Sequence, residues 1–258
     1  MGLDLTALRG AMLAGIRSST AGLVQTVFPP RCIACGEAVS SDFGLCGACW
    51  RDTQFIAGLA CECCGTPLPG DGAGEGAQRC DDCLAQPRNW SRGRAAFVYG
   101  GAGRQMVLAL KHGDRLDLVG PMGQWLAQTA APLLEPGMVI APIPLHRLRL
   151  IKRKFNQSAL LSQQVAKRAG LAHIPDLFER PRATPSQEGR SREERFANLE
   201  GAIRITPRRA EALRGRDLLI VDDVMTSGAT FAAATEAALA AGARRVNVLA
   251  LARVAKGA

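Results

Sequence analysis

The amino-acid sequence predicts an α/β fold, in which helices flank a parallel sheet and a small cysteine-rich module precedes it. Residues 218–221, Leu-Leu-Ile-Val, form a short apolar run typical of a buried parallel strand, and an alanine-rich helix is predicted to follow over about 229–241. All nine cysteines, in contrast, lie between positions 32 and 83. The 258 residues suffice for one α/β domain and a small additional module.

The N-terminal residues 3–28 are mildly apolar, but Arg9 and Arg17 interrupt them and no small-residue cleavage site follows. We therefore predict an amphipathic helix over 1–30 and no signal peptide. The chain has no run of 18 apolar residues, so no membrane span is expected. The formal net charge of +9 favours phosphate-rich partners, although a solvated basic surface has the same composition.

The cysteines are grouped in pairs separated by two residues, a spacing that places both thiolates on one tight turn. Such pairs indicate metal thiolates in a reducing cytoplasm, whereas the alternative is a set of buried or redox-active thiols. Eight ligands make two closed, structural Zn²⁺ sites and leave Cys63 unused. The pairs are Cys32 and Cys35, Cys46 and Cys49, Cys61 and Cys64, and Cys80 and Cys83.

The spacing leaves two ways of combining the pairs open. Sequential pairing joins the first two pairs in one zinc site and the last two in the other, while a cross-braced arrangement interleaves them. We favour the sequential double ribbon, because each half is then a self-contained loop. Residues 70–76 between the knuckles are too polar and glycine-rich to pack, so the metal is expected to replace a core in this module.

Residues 87–93 are interpreted as a linker, which divides the chain into an N-terminal helix (1–30), a double zinc ribbon (31–86) and an α/β domain (94–258). In the α/β domain the patterns predict strands at 95–99, 138–141 and 245–253, and helices at 104–112, about 118–134 and up to 169. The last strand follows the helix after 229 and completes a right-handed parallel crossover.

The predicted strand at 138–141 leads into Ile143, Pro144, Leu145 and His146, and five cations follow within eight residues. Cations at the carboxyl end of a strand suit an arm that binds a diphosphate. The alternatives are a basic solvated turn or a nucleic-acid contact. A general acid or base role for His146 is less favoured than a hydrogen-bonding surface role. The cations are Arg147, Arg149, Lys152, Arg153 and Lys154.

Residues 178–205 are irregular and rich in arginine, and short strands are predicted to flank them at 176–180 and 201–205. A long polar excursion between strands is typical of a lid, here one that closes Arg190 and Arg195 over bound negative charge. The alternative is a mobile segment without a role.

The loop after residues 218–221 has the chemistry of a phosphate site. Gly228 and Ala229 allow the backbone to approach an anion closely, while Thr226, Ser227 and Thr230 add hydroxyl donors at a helix N-terminus. Asp222 and Asp223 precede the loop and can accept hydrogen bonds from two sugar hydroxyls, or reach Mg²⁺ through water. The alternative is a solvated acidic turn.

A sugar diol beside a phosphate indicates a ribose 5-phosphate. The chain has neither the G-x-x-x-x-G-K-[ST] loop of nucleotide triphosphatases nor a G-x-G-x-x-G turn after this strand. Residues 218–230 resemble the phosphoribosyl diphosphate (PRPP) loop of the type I phosphoribosyltransferases, which implies a type I phosphoribosyltransferase-like parallel sheet.

Nearly the whole chain after Pro29 resembles the ComF family of competence-associated proteins, which couple a double zinc ribbon to such a domain. The resemblance rests on the four cysteine pairs, Lys111–Asp114, Pro142–His146 with Arg153–Gln157, Thr184–Asn198 and the PRPP loop. One position departs from the family pattern: Lys154 stands where a glycine is usual, so a turn that needs a positive φ is not expected there.

The resemblance implies PRPP binding with Mg²⁺, a link to DNA uptake, and transfer to an acceptor that it does not identify. The alternative is a non-catalytic competence protein that binds single-stranded DNA or a DNA-uptake helicase or processing protein and uses PRPP as a ligand. The aromatic content of 5% is low for a base-stacking surface. Asp222 and Asp223 are the candidate catalytic residues, and the PRPP site comprises these two with Met225, Thr226, Ser227, Gly228, Ala229, Thr230, Ile143, Pro144, Leu145, His146, Arg153, Arg190 and Arg195.

Overall fold

A computed structural model describes residues 29–70, 76–182 and 191–255. The chain divides into two compact units, Met1–Trp50 and Arg51–Ala258. The N-terminal helix predicted for 1–30 falls almost wholly outside the described residues, as does Arg190. The division after Trp50 places the second pair of cysteine knuckles in the same unit as the sheet. The boundaries predicted at 30, 86 and 94 stay predictions.

The described residues contain short and long helices between the strands of one larger and one smaller sheet. Three 3₁₀ turns, Leu116–Leu118, Ala131–Leu133 and Pro207–Arg209, extend or connect them. The helices are α1 (Gly47–Asp52), α2 (Asp81–Ala85), α3 (Gly101–His112), α4 (Val119–Ala130), α5 (Arg147–Arg153), α6 (Gln157–Ala169), α7 (Arg192–Leu199), α8 (Ala210–Leu213) and α9 (Ala229–Ala240). The strands are β1 (Gly93–Val98), β2 (Val139–Pro142), β3 (Ala172–His173), β4 (Phe178–Glu179), β5 (Arg204–Ile205), β6 (Asp217–Met225) and β7 (Arg245–Arg253).

The larger sheet has the strand order β1-β7-β6-β2-β3, and all its pairings are parallel. The fold class predicted from the sequence is therefore confirmed: helices flank a parallel sheet, and a cysteine-rich region precedes it. The central strand β6 pairs Ile220 with Val248 of β7 and with Ala141 of β2. Residues 218–221 are completely buried, as expected for a strand covered on both faces.

Strand β6 is longer than its apolar run, because it continues through both acids to Met225. Asp222 and Asp223 consequently lie on the strand, and the loop is only the three residues 226–228 before α9 begins. The carboxyl ends of β2 and β6 meet at one edge of the sheet, so the segments that follow them share that edge.

Two helices correct the sequence interpretation. The segment with five cations after His146, interpreted as a diphosphate-binding arm or a basic turn, forms the helix α5, and the excursion predicted as irregular contains α7. Arginine and leucine are good helix formers, and both helices are capped: Ser191 and Glu194 form a capping box on α7. Lys154, at the end of α5, has φ +65°, so the expectation that lysine would prevent a positive φ there is wrong.

The two short strands predicted around the arginine-rich excursion are present and shorter than expected. Strands β4 and β5 form a separate antiparallel pair, with Phe178 opposite Ile205. Arg204 of β5 forms an ion pair with Glu179 of β4 across this small sheet.

The second cysteine group does not lie outside a core. Cys61, Cys64 and Cys83 are buried and pack in one apolar cluster with Trp90 and with residues of the large sheet, among them Val248. The segment interpreted as a linker, 87–93, is packed as well, because it supplies Trp90 and the start of β1. The expectation that metal replaces a core is therefore wrong for this half of the module.

Candidate functional site

The candidate site is built around the turn between β6 and α9. Gly228, the residue before α9, has φ +84°, a conformation that side-chain-bearing residues rarely adopt. A Cβ atom placed there would also lie 2.9 Å from the ring of Trp90. Glycine is thus required twice over at this position.

The backbone of this turn offers donors to an anion. Within the described part of the chain, no residue accepts a hydrogen bond from the amides of Thr226, Ser227 or Gly228. The amide of Ala229 makes a long hydrogen bond, 3.4 Å, to the Ser227 hydroxyl. Because the turn opens a 12-residue helix, these N–H groups lie at the positive end of its dipole. The Met225 side chain is buried at the end of β6, so a contact between Met225 and a bound anion would be made by its backbone.

The two acids are held by different partners. Asp222 Oδ1 accepts hydrogen bonds from the Ser158 hydroxyl at 2.7 Å and from the Asp223 amide at 2.9 Å. Asp223 forms an ion pair with Lys111, whose Nζ lies 3.0 Å from Oδ1. Burial, reinforced by the charge of Asp223, raises the pKa of Asp222 to about 7, although Ser158 and Lys111 oppose the shift. At neutral pH, Asp222 is therefore poised between its protonated and ionised forms.

Lys111 is a site residue that chemical reasoning from the sequence missed. It lies in the last turn of α3, after β1, and its side chain reaches across the sheet edge to β6. The signal was present in the Lys111–Asp114 motif that supports the family resemblance. Together with His112, Asp114, Arg149 and Arg153 it lines a polar cavity of about 360 Å³.

The segment after β2 is fixed to the site mainly through its backbone. Ile143 continues the sheet ladder with a hydrogen bond to the Val221 carbonyl at 2.9 Å, and its own carbonyl accepts from Asn156 Nδ2 at 2.9 Å. The Asn156 side chain also caps α6, the helix that carries Ser158. His146 Nδ1 accepts from the Leu148 amide at 3.3 Å and caps α5, which agrees with the hydrogen-bonding role favoured from the sequence.

A second, larger cavity of about 800 Å³ lies between this segment and the β4–β5 pair. Pro144 and Leu145 line it on one side, and Phe178 and Arg180 line it on the other. Arg180 is buried, and burial lowers its pKa to about 10; the charges of Arg149 and Arg182 act in the same direction, while that of Asp222 opposes them. Arg180 was not among the residues predicted from the sequence.

The remaining predicted residues divide between the site edge and α7. Arg153 lines the smaller cavity with Lys111. Arg195 is partly buried on α7, whose residues Phe196 and Leu199 pack against the first turns of α9. Thr230 lies in the first turn of α9 and is partly buried.

The cysteines form two four-sulfur groups. In each group the sulfur atoms lie within 4.8 Å of one another, and the Cys35–Cys46 and Cys64–Cys80 separations are 3.7 and 3.6 Å. A tetrahedral Zn²⁺ with Zn–S bonds of about 2.3 Å requires sulfurs about 3.8 Å apart, so both groups fit zinc. Sequential pairing is confirmed, and Cys63 belongs to neither group. The groups are Cys32, Cys35, Cys46 and Cys49, and Cys61, Cys64, Cys80 and Cys83.

Comparison with protein families and known proteins gives matches along most of the chain. Residues 23–84 match the family model of the double zinc ribbon domain. The chain is 32% identical to DNA utilization protein YhgH of Salmonella typhi over 234 residues, which cover 87% of this chain and 97% of that protein. It is 27% identical to competence protein F of Haemophilus influenzae over 244 residues, which cover 89% of this chain and all of that protein.

Among solved structures, a hypoxanthine phosphoribosyltransferase from Staphylococcus aureus aligns with a TM-score of 0.34 and 15% identity, over 52% of this chain and 62% of that chain. Glutamine PRPP amidotransferase from B. subtilis aligns with a TM-score of 0.33 and 20% identity, over 49% of this chain and 24% of that chain. Among the helices of the described residues, none is long and apolar enough to cross a membrane.

Proposed function

Since the chain belongs to the ComF family, that of competence protein F and DNA utilization protein YhgH, we propose that it is a PRPP-binding protein of DNA uptake that transfers a phosphoribosyl group. One observation carries the proposal. Three backbone amides that have no acceptor among the described residues lie just before α9, and two adjacent acids lie near the end of β6, which leads into this turn. A sugar phosphate matches both groups, because its phosphate accepts hydrogen bonds from the amides and its hydroxyls donate to the acids. The cysteine usage favours a cytoplasmic location.

In the proposed complex the 5-phosphate of PRPP is bound by the turn from Met225 to Thr230. The ribose hydroxyls are accepted by Asp222 and Asp223, and the diphosphate extends toward Lys111 and the backbone of 143–146. We propose that Mg²⁺ binds together with PRPP, because the negatively charged phosphate groups of PRPP coordinate it. The cations of the smaller cavity, Arg149 and Arg153 among them, then lie on the diphosphate side.

The proposed reaction breaks the bond between the anomeric carbon and the diphosphate, while the acceptor approaches from the opposite side. Positive charge develops on the ribose ring, and the two carboxylates stabilise it. The raised pKa of Asp222, about 7, favours its protonated form in the free protein, whereas the positive charge of the transition state or of Mg²⁺ would lower this pKa and favour the carboxylate. The cavity of about 800 Å³ beside Arg180 is the proposed space for the acceptor.

A second candidate function is that of a binding protein without transfer. Helix α5 supports it, because its apolar residues Leu148 and Ile151 are exposed among arginines, with exposed fractions of 67% and 76%. A surface of this composition suits single-stranded DNA or a DNA-uptake helicase or processing protein. In this function PRPP is a ligand or regulator.

Calorimetric titration with Mg²⁺ and PRPP tests the common part of both functions. We expect binding by the wild-type protein and at least tenfold weaker binding by the Asp222→Asn, Asp223→Asn double variant. Asp117→Asn is the matched control, since Asp117 is an exposed acid paired with Arg115. Unchanged affinity in the double variant would remove the ribose assignment.

Diphosphate release across a panel of bases and related acceptors then separates the two functions. Release with any acceptor supports the enzyme. PRPP binding without release, together with DNA affinity that falls steeply with salt, supports the binding protein.

A further inference from the structure

The geometry points to a second role for the ribbon formed by Cys61, Cys64, Cys80 and Cys83: through Arg88 and Arg253 it orients the backbone of the phosphate loop. Arg88 and Arg253 are thus positioning residues. The inference rests on the proposed function only in that the loop, residues 226–228, is taken to hold a phosphate together with the end of β6 at Met225.

Each of these arginines bridges a cysteine sulfur and the loop. Arg88 donates from Nε to Cys83 Sγ at 3.4 Å and from Nη1 to the Ser227 carbonyl at 2.9 Å. Arg253, at the end of β7, donates from Nη2 to Cys64 Sγ at 3.8 Å. Its Nη1 donates to the carbonyls of Met225 at 3.2 Å and Thr226 at 2.7 Å. Two side chains therefore contact three successive carbonyls; that of Met225 also accepts the sheet hydrogen bond from the Val254 amide at 2.9 Å, so those of Thr226 and Ser227 depend most on the arginines.

These contacts determine where the loop amides point. In a trans peptide the carbonyl and the following N–H are directed to opposite sides of the chain. The carbonyls of Met225, Thr226 and Ser227 face the ribbon, so the amides of Thr226, Ser227 and Gly228 face away from it. These are the amides from which no residue in the described part of the chain accepts a hydrogen bond. The arginines consequently arrange the donors that would bind the phosphate.

The negative charge of the second zinc ribbon explains why the two residues between it and the loop are arginines. Four thiolates around one Zn²⁺ carry a net charge of −2, which Arg88 and Arg253 match with two positive charges. Arg253 is only 4% exposed, so its charge requires such a partner. Hydrogen bonds to the cysteine sulfurs also fix the orientation of both guanidinium groups. The other N–H groups of each guanidinium then donate to the carbonyls of residues 225–227.

Trp90 completes this joint between ribbon and loop. Its Nε1 donates to the Cys63 carbonyl at 2.5 Å, and its ring occupies the space beside Gly228. The guanidinium of Arg88 lies 5.4 Å from the centre of the same ring. The loop therefore rests on a surface made by residues of the ribbon and of the segment that follows it.

Backbone ¹⁵N relaxation of the zinc-loaded full chain tests the inference without any ligand, because it reports the mobility of amides that have no acceptor among the described residues. We expect Arg88→Gln and Arg253→Gln, made singly, to lower the order parameters of the amides at 227 and 228 from about 0.85, typical of a rigid backbone, to below about 0.6, while the zinc content and the order parameters of β2 stay as in the wild type. Arg92→Gln is the matched control, because Arg92 donates to Glu62 in the same ribbon and to the Pro132 carbonyl, and makes no hydrogen bond to the loop among the described residues. Arg88→Lys keeps the charge but cannot donate to both partners from one planar group, so intermediate order parameters are expected.

Wild-type order parameters at 227 and 228 in Arg88→Gln would overturn the inference. This variant keeps the test decisive if Arg253→Gln fails to fold, since Arg88 is only partly buried. PRPP titration of the same proteins is the second measurement, with a tenfold or greater loss of affinity expected in Arg88→Gln. If the wild-type protein does not bind PRPP, the proposed function fails, and the order parameters still decide whether the ribbon orients the loop.

Discussion

The two cysteine groups have the same local structure in different surroundings. In both, the first cysteine donates from its amide to the carbonyl five residues on, Cys32 to Glu37 at 2.7 Å and Cys61 to Thr66 at 2.8 Å. In both, the glycine after the knuckle, Gly36 or Gly65, donates to the carbonyl of that cysteine at 2.9 Å. Short helices follow the third cysteine of each group, α1 after the first and α2 after the second.

Their surroundings are not alike. The first group lies in the smaller compact unit, where Cys35 and Phe43 are exposed. The second group lies in the unit of the sheet, where Cys61 and Cys64 are fully buried and pack in its core. A knuckle of one geometry can thus form a small unit of its own or part of a larger hydrophobic core. Four predictions test this difference, from the largest expected effect to the smallest.

Loss of one ligand should affect the two units very differently. Structural zinc contributes about 10 kcal/mol or more to folding, so Cys64→Ser should lose its zinc and strongly lower the melting temperature of the sheet. Cys35→Ser should also lose one zinc but leave the melting of residues 51–258 near the wild-type value. Zinc content and hydrogen exchange of β6 and β7 provide the measurement. Equal destabilisation of the sheet by both variants would contradict the comparison.

Alanine at the two knuckle glycines gives a matched pair. Gly36 and Gly65 both have a positive φ, which costs an alanine about 1 kcal/mol. A Cβ at Gly36 meets no atom within 4 Å, whereas one at Gly65 lies 2.6 Å from the Ala95 amide nitrogen and 2.8 Å from the Arg94 carbonyl carbon. We expect Gly65→Ala to cost about 3 kcal/mol or more and Gly36→Ala about 1 kcal/mol. Denaturant unfolding measures the loss of unfolding free energy in each variant. Equal losses would show that β1 does not restrict the space at Gly65.

Asp222, in the site that the second ribbon contacts, should contribute less to the free energy of unfolding at neutral than at acidic pH. The pKa of Asp222 is raised to about 7, above its unfolded value near 4, so the folded state binds the proton more tightly. Its contribution to stability is complete below about pH 4 and is lost as the pH rises through 7. Asp222→Asn should remove this slope and be the more stable protein at pH 7, by about 1 kcal/mol or more. Unfolding free energies between pH 4 and 8 test this, with exposed Asp81→Asn as the control.

Glu62 of the second knuckle should show the opposite dependence on pH. Burial alone would raise the pKa of Glu62, but hydrogen bonds from Arg94 and Arg92 outweigh it and hold the pKa below its usual value. This stabilisation is present above about pH 4.5 and is lost as the pH falls through the lowered pKa.

We expect Glu62→Gln to cost about 1 kcal/mol at pH 7 and less at pH 3, because the ion pairs are partly solvated. Unfolding at the two pH values measures it. Glu37→Gln, at an exposed position of the first ribbon, should have little effect at either pH. If Glu62→Gln lowered the free energy of unfolding equally at both pH values, Glu62 would stabilise the protein by packing and not by its ion pairs.

The sequence by itself determined the parts whose signals are local. Spacing identified the four cysteine pairs, the apolar run at 218–221 identified the central strand, and Gly228 marked the turn before α9. These depend on covalent spacing, backbone conformation and burial periodicity, which neighbours along the chain decide.

The tertiary structure alone decided which distant groups meet. It placed the second ribbon in the core of the sheet, and it packed the segment predicted as a linker, which supplies Arg88 and Trp90, between this ribbon and the phosphate loop. It brought Lys111 to Asp223 and Ser158 to Asp222, residues 112 and 64 positions apart in sequence. Such contacts follow from strand order and from charge that must be neutralised on burial, and neither is written in the spacing of any one segment.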